Sequence, residues 1–139
     1  MNDKEKFIEI MEKGETIALA SSVNNIPNVR ILNFVYLKNE NIMYFTSFKG
    51  DKKEKEFLSN KNAAFTTLPK NESSCVRVNF ANVKKSIKTI DDVKDLFIKK
   101  WNWYKEFIEK NCEKMDVYEV HFSTAVVFPD PDNGYNIEL

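Results

Sequence analysis

Pro27-Asn28-Val29-Arg30-Ile31-Leu32-Asn33-Phe34-Val35-Tyr36-Leu37 reads as one extended strand whose two faces are both apolar. Successive side chains of a strand point to opposite sides, which puts Val29, Ile31, Val35 and Leu37 on one face and Leu32, Phe34 and Tyr36 on the other. A strand of this kind needs cover on both sides. In a chain of 139 residues the interior of a small closed sheet supplies one cover. A partner subunit or a flat ligand could supply the other.

Outward from this strand the pattern is an antiparallel meander. Upstream, Glu15 to Val23 is a small-residue strand that ends at Asn24-Asn25, a pair that tolerates the positive φ of a hairpin turn. Downstream, the turn Lys38-Asn39-Glu40-Asn41 leads into a strand from Ile42 to Thr46. Ser47-Phe48-Lys49-Gly50 is a loop, and Asp51 is placed to cap a short helix running to about Asn60 with Phe57 and Leu58 inward. Residues 63–68 and 75–83 read as two more strands around a polar turn. Val93, Leu96, Phe97, Lys100, Trp101, Tyr104, Phe107 and Ile108 keep a helical period, which predicts one long helix capped by Thr89 or Asp91 and ending near Asn111. A final strand over 117–128 sets Tyr118, Val120, Phe122, Thr124, Val126 and Phe128 on one face. Residues 129–139 read as a loose tail, and residues 3–13, stopped by Gly14, as an N-terminal amphipathic helix. The order suits a single domain, 1–139, built on a small closed sheet with helices at its ends and on its flank.

Composition narrows the function classes. Lys plus Arg (21) equals Asp plus Glu (21), so the long-range field is weak and neither a nucleic acid nor a membrane surface is an expected partner. No apolar run approaches the roughly 20 residues that span a bilayer, and Met1 to Lys6 has no signal-like stretch, so a cytoplasmic protein is expected. Cys75 and Cys112 are far apart and His121 is the only histidine, which argues against a metal site and against hydrolytic triads. The three glycines form neither a dinucleotide nor a Walker fingerprint.

What remains is a group of cations and hydroxyls. Arg30 lies inside an otherwise apolar strand, Thr46-Ser47 ends the next one, and Lys52-Lys53 begin the following helix. A strand-borne arginine, hydroxyls, lysines and the free amides of a helix N-terminus are the groups a phosphomonoester needs. The competing reading is that Arg30 pairs with a carboxylate of a neighbouring strand and the lysines form a solvated face. Along the predicted long helix, Trp101 and Tyr104 share the core face while Trp103 points elsewhere.

The chain resembles the pyridoxamine 5′-phosphate oxidase-like family of FMN-binding split barrels over most of its length. The resemblance rests on order and spacing: Thr16 to Ser22, Pro27-Asn28-Val29-Arg30, Tyr44-Phe45-Thr46-Ser47, Lys52-Lys53, and Asn60-Lys61-Asn62-Ala63-Ala64-Phe65. It implies a mainly β fold, a six-stranded antiparallel split β-barrel with N-terminal, mid-chain and C-terminal flanking helices. It also implies a homodimer holding FMN at its interface. Arg30, Thr46, Ser47 and Lys52 or Lys53 would then hold the phosphate, and the backbone from Arg30 through Ile31 and Leu32 to Asn33 would run along the flavin ring. Phe45 aligns with an aromatic near the cofactor, Cys75 falls where the oxidases carry a flavin-contacting Gln, and a tryptophan of the partner subunit would flank the ring, with Trp103 the better candidate.

The chain departs from the oxidases by lacking their C-terminal Arg-x-His substrate element, and it is closer to the short general-stress and nitroimidazole-reductase-like members. The function expected from the resemblance is that of an FMN-dependent oxidoreductase of a small molecule, with no catalytic side chain assigned. The alternatives are a non-catalytic flavin or phosphorylated-cofactor module, and a haem-handling split barrel with His121 as its only imidazole.

Overall fold

In the computed structural model, which describes residues 1–139, the meander starts from an asparagine turn. Asn24 and Asn25 have φ of 54° and 65°, the two left-handed positions of a tight hairpin. They join β1 (Thr16–Val23) to β2 (Ile26–Asn33) in a register running from Val23↔Ile26 to Thr16↔Asn33. The run that was expected to be one strand breaks at Phe34. β3 (Val35–Leu37) pairs with β4 (Ile42–Phe48) instead of continuing along β1. Phe34 turns fully into the barrel interior, and Lys100 Nζ donates to its carbonyl at 2.9 Å, which satisfies a backbone group left free by the break.

The remaining elements are α1 (Asp3–Lys13), α2 (Lys52–Ser59), β5 (Asn62–Thr67), β6 (Cys75–Lys85), α3 (Ile90–Lys100), α4 (Tyr104–Asn111), β7 (Met115–Phe122), β8 (Thr124–Phe128) and β9 (Tyr135–Glu138). The sheet order is β2-β1-β5-β6-β7-β4-β3, antiparallel throughout, with β8 on β6 and β9 on β8. Its two end strands, β2 and β3, are consecutive in the chain, so the sheet curls until its ends meet at Phe34. This is the split barrel.

The structure has nine strands where six were expected. Breaks at Phe34 and Ser123 divide two of the expected six, and the tail adds the last. Ser123 also reverses the alternation: Tyr118, Val120 and Phe122 face the core, but beyond the break Ala125 and Val127 are buried, and not Val126 and Phe128. The tail is not loose. β9 pairs with β8, Leu139 N donates to Ser123 O at 2.9 Å, and Tyr135 and Ile137 pack on the barrel core. The long helix is two helices, because Trp101 adopts extended backbone angles (φ −135°, ψ 110°). The break lets Trp101 and Tyr104 both lie against the Phe97 ring, at 6.2 and 5.0 Å between centroids.

Two apolar clusters result. Phe7, Met11, Ile17, Leu19, Phe34, Phe45 and Val120 fill the barrel. Val35, Tyr44, Val93, Phe97, Trp101 and Val117 lie between the outer face of β3-β4-β7 and the pair α3-α4. No helix is long and apolar enough to cross a membrane.

Candidate functional site

Between the free edge of β2, the end of β4 and the start of α4 lies a cleft of about 240 Å³. β2 supplies Ile31, Leu32 and Asn33, and β4 supplies Thr46, Ser47 and Phe48. α2 supplies Lys53, and Trp103, Tyr104, Phe107 and Met115 complete the wall. β2 has a partner on one side only. In an antiparallel ladder alternate residues make the cross-strand bonds. Because Phe34 N donates to Glu15 O at 3.2 Å, Leu32 and Arg30 turn their backbone groups toward β1, while Ile31 and Asn33 turn theirs to the open edge. Pro27, which has no N–H, falls on the same open edge.

The electrostatics are local. Lys53 Nζ lies 3.0 Å from Asp51 Oδ2, and Asp51 Oδ1 caps α2 by accepting the Lys53 N–H at 3.2 Å. Arg30 donates to Glu56 Oε1 at 2.6 Å, Ser21 Oγ at 3.0 Å and Leu19 O at 3.2 Å. Ser21 and Asn28 also donate to Glu56. The Ser21 bond first, then those from Asn28 and Arg30, hold the Glu56 carboxyl below the usual carboxylate range. Thr46 Oγ1 and Tyr104 Oη are 2.5 Å apart. Burial raises the Tyr104 phenol, and the bond to Thr46 opposes that rise. Behind Ser47, Glu54 Oε2 is buried without a hydrogen-bond partner. Burial, with the charge of Asp116 adding to it, pushes the Glu54 carboxyl up, and the hydrogen bond from Ser47 opposes that rise. Lys53 and Tyr104 are the only ionisable side chains lining the cleft.

The profile described as "Pyridoxamine 5'-phosphate oxidase-like" matches residues 10–134. The chain belongs to this family. No curated protein sequence matches it. Among solved structures it is similar to Campylobacter jejuni ChuZ, with TM-score 0.79 and 16% identity over 97% of this chain and 58% of that one. The present chain thus spans little more than half of that neighbour. It also resembles General Stress Protein 26 from Bacillus anthracis, with TM-score 0.73 and 16% identity over 100% of both chains. A FAD-binding protein from Mesorhizobium loti matches with TM-score 0.66 and 13% identity over 89% of this chain and 90% of that one. At these identities the likeness concerns the fold.

Of the residues that the oxidase-like pattern nominates, Ile31, Leu32, Asn33, Thr46, Ser47, Lys53 and Trp103 line the one cleft. The others lie elsewhere. Arg30 is engaged by Glu56 on α2, a helix carboxylate where the competing reading expected one from a strand. Phe45 is fully buried in the barrel against Phe57 and Tyr118, because alternation along β4 sends it inward while Thr46 faces the cleft. Lys52 faces a separate groove with Asn24, Pro27, Asn28 and Lys55. Cys75 opens β6 opposite Phe128 and is absent from the cleft wall.

On α2 Phe57 is buried as expected, but Leu58 is 90% exposed and Glu56 is buried in its place, because Glu56 is the partner of Arg30. His121 Nε2 is 2.7 Å from Glu119 Oε1, and Ser86 donates to Glu119 Oε2 at 2.5 Å. The acid stands between serine and imidazole, an order that cannot activate the serine. The sequence reading identifies the cap at Asp51 but not its ion pair with Lys53, and it does not place Tyr104 or Phe107 in the cleft wall. The signal for Tyr104 was a phenol on a buried helix face, which must find a hydrogen-bond partner.

Proposed function

We propose that this chain binds FMN in the cleft between β2 and α4 and acts as an FMN-dependent oxidoreductase on a small molecule, as half of a homodimer. The gathering of Lys53, Thr46, Ser47, the open backbone of Ile31 and Asn33, and Trp103 around one cleft carries this reading. An ammonium and two hydroxyls suit a single phosphate group. The open N–H and C=O groups suit the alternating donors and acceptors of the flavin pyrimidine edge, and Trp103, 54% exposed, offers a flat face for the ring. The FAD-binding neighbour supports flavin as the ligand class.

A volume of about 240 Å³ is below the range of roughly 300–1,000 Å³ typical of ligand pockets, which supports the reading that a second copy completes the enclosure. The surface it would cover is the outer face of β2, β1 and β5. There Val29 and Ile31 stand beside Ala20 and Ala18, with Ala64 opposite Ala20, and these small side chains let another sheet approach closely. Bound flavin would supply the electron transfer that no side chain in the cleft provides. The protein's part is to hold the phosphate at Lys53 and the ring edge at β2.

The test is the visible absorption spectrum of purified protein with an FMN titration. Native protein is expected to bind FMN with sub-micromolar affinity. Lys53→Ala should weaken binding by about tenfold or more through loss of a charged contact. Arg30→Ala should instead lower thermal stability, because it leaves Glu56 without its cation. Protein that is colourless and ignores added FMN would overturn the proposal. Flavin that binds but is not reduced by NADH or NADPH in stopped flow would favour the non-catalytic module.

A further inference from the structure

The cation assigned to the phosphate already has an anion. Lys53 Nζ pairs with Asp51 Oδ2 at 3.0 Å while Asp51 Oδ1 takes the Lys53 N–H, so one carboxylate holds both the ammonium and the amide that α2 presents there. The Lys53 side chain is 14% exposed and that of Asp51 41%, so the acid lies on the solvent side of the pair. The neighbouring cation is matched too, by Glu56. The Lys53 side-chain bond first, then its backbone bond, holds the Asp51 carboxyl below the usual carboxylate range, and the charge of Arg30 adds to this, so both cations act on the same acid. Two cations facing two carboxylates leave this corner with no net charge to attract a dianion.

We infer that Asp51 is a built-in competitor for the anion subsite, a specificity-determining residue that makes the phosphate ester an exchangeable ligand and not a retained one. This rests on the flavin reading above and adds how tightly the ligand is kept. A phosphate reaching Lys53 must displace a carboxylate that is tethered two residues away and therefore always present at high local concentration. The same acid caps α2, which gives a clean way to separate charge from structure. Asn caps a helix as well as Asp does and carries no charge.

The experiment compares native protein with Asp51→Asn, measuring dissociation constants for FMN and for riboflavin, which lacks the phosphate, by quenching of flavin fluorescence. Thermal melts check that the variant folds, and Asp51→Ser serves the same comparison if the Asn variant does not. Removing one unit charge about 6 Å from a dianion in a water-like medium corresponds to about tenfold in affinity. FMN should therefore bind the variant about tenfold tighter and leave it more slowly, with riboflavin unchanged. The gain should vanish in Asp51→Asn/Lys53→Ala. If native protein binds FMN and the variant binds it no tighter, the competitor role is overturned while the flavin reading stands. An equal gain for riboflavin would also overturn it, because the effect would not run through the phosphate. If neither protein binds either flavin, the flavin reading falls and this inference falls with it.

Discussion

Val35 and Leu37 lie under α3, whereas Val29 and Ile31, on the same outer face of the same run of sequence, lie under nothing of their own chain. Val35 is 5% exposed, and Val29 and Ile31 are 63% and 66% exposed. All four are aliphatic and keep the same alternation, so the strand pattern does not distinguish them. The difference is set where α3 and α4 dock, against β3, β4 and β7 and short of β2. An apolar period thus reports that a face needs cover without saying what covers it. Lys100 marks the boundary, reaching from the end of α3 to the Phe34 carbonyl between the two halves, with its ammonium 4.4 Å from the centre of the Phe34 ring.

The covered half can be broken directly. Phe97 is fully buried and stacks on Trp101 and Tyr104, so Phe97→Ala should cost about 3–5 kcal/mol in denaturant unfolding. A loss under about 1 kcal/mol would mean that the helix layer does little to hold the β3 face.

The boundary has a pH signature. Burial lowers the Lys100 ammonium from 10.5 to about 8, with Glu15 and Glu12 opposing the shift. Between those values the unfolded chain binds the proton and the folded chain does not, so stability rises with pH, and the penalty is fully present below about pH 8. Allowing for the partial exposure of Lys100, the rise should be on the order of 1–2 kcal/mol. Melting curves of native protein and Lys100→Met across this window should diverge by that amount, and parallel curves would show that Lys100 is not held there as a buried cation.

The bare half should respond least in stability and most in assembly. Ile31→Lys should change protomer stability by no more than about 0.5 kcal/mol, as for an open surface position. It should reduce the mass seen by light scattering from two chains to one. A native mass of one chain would erase the contrast between the halves, and a large loss of stability would show that Ile31 is packed within its own protomer.

Much of the site was legible because it depends on neighbours in the chain. The hairpin at Asn24-Asn25 places β2 beside β1, β4 follows from the next turn, and Asp51 begins α2, so Ile31 to Asn33, Thr46, Ser47 and one of two lysines had to come near one another. The choice between Lys52 and Lys53 was not legible, since adjacent helix residues differ by about 100° in direction and only the docking of α2 says which direction is the cleft. Arg30 was open to two readings for a related reason. Its residue type suits a phosphate and a carboxylate equally, and Glu56 became its partner only when α2 packed against β1, the strand beside β2.

By itself, the sequence determined the apolar strands, the turn residues able to take positive φ, and the cap at Asp51, all of which depend on a few adjacent residues. Tertiary structure alone decided the break at Phe34, the reversed alternation after Ser123, the paired tail, the inward Glu56 and the separation of covered from bare face. Each of these depends on which element lies against which. Strand breaks form where the sheet must change partners, and charged groups go where an opposite charge has been placed, distances that no local period encodes.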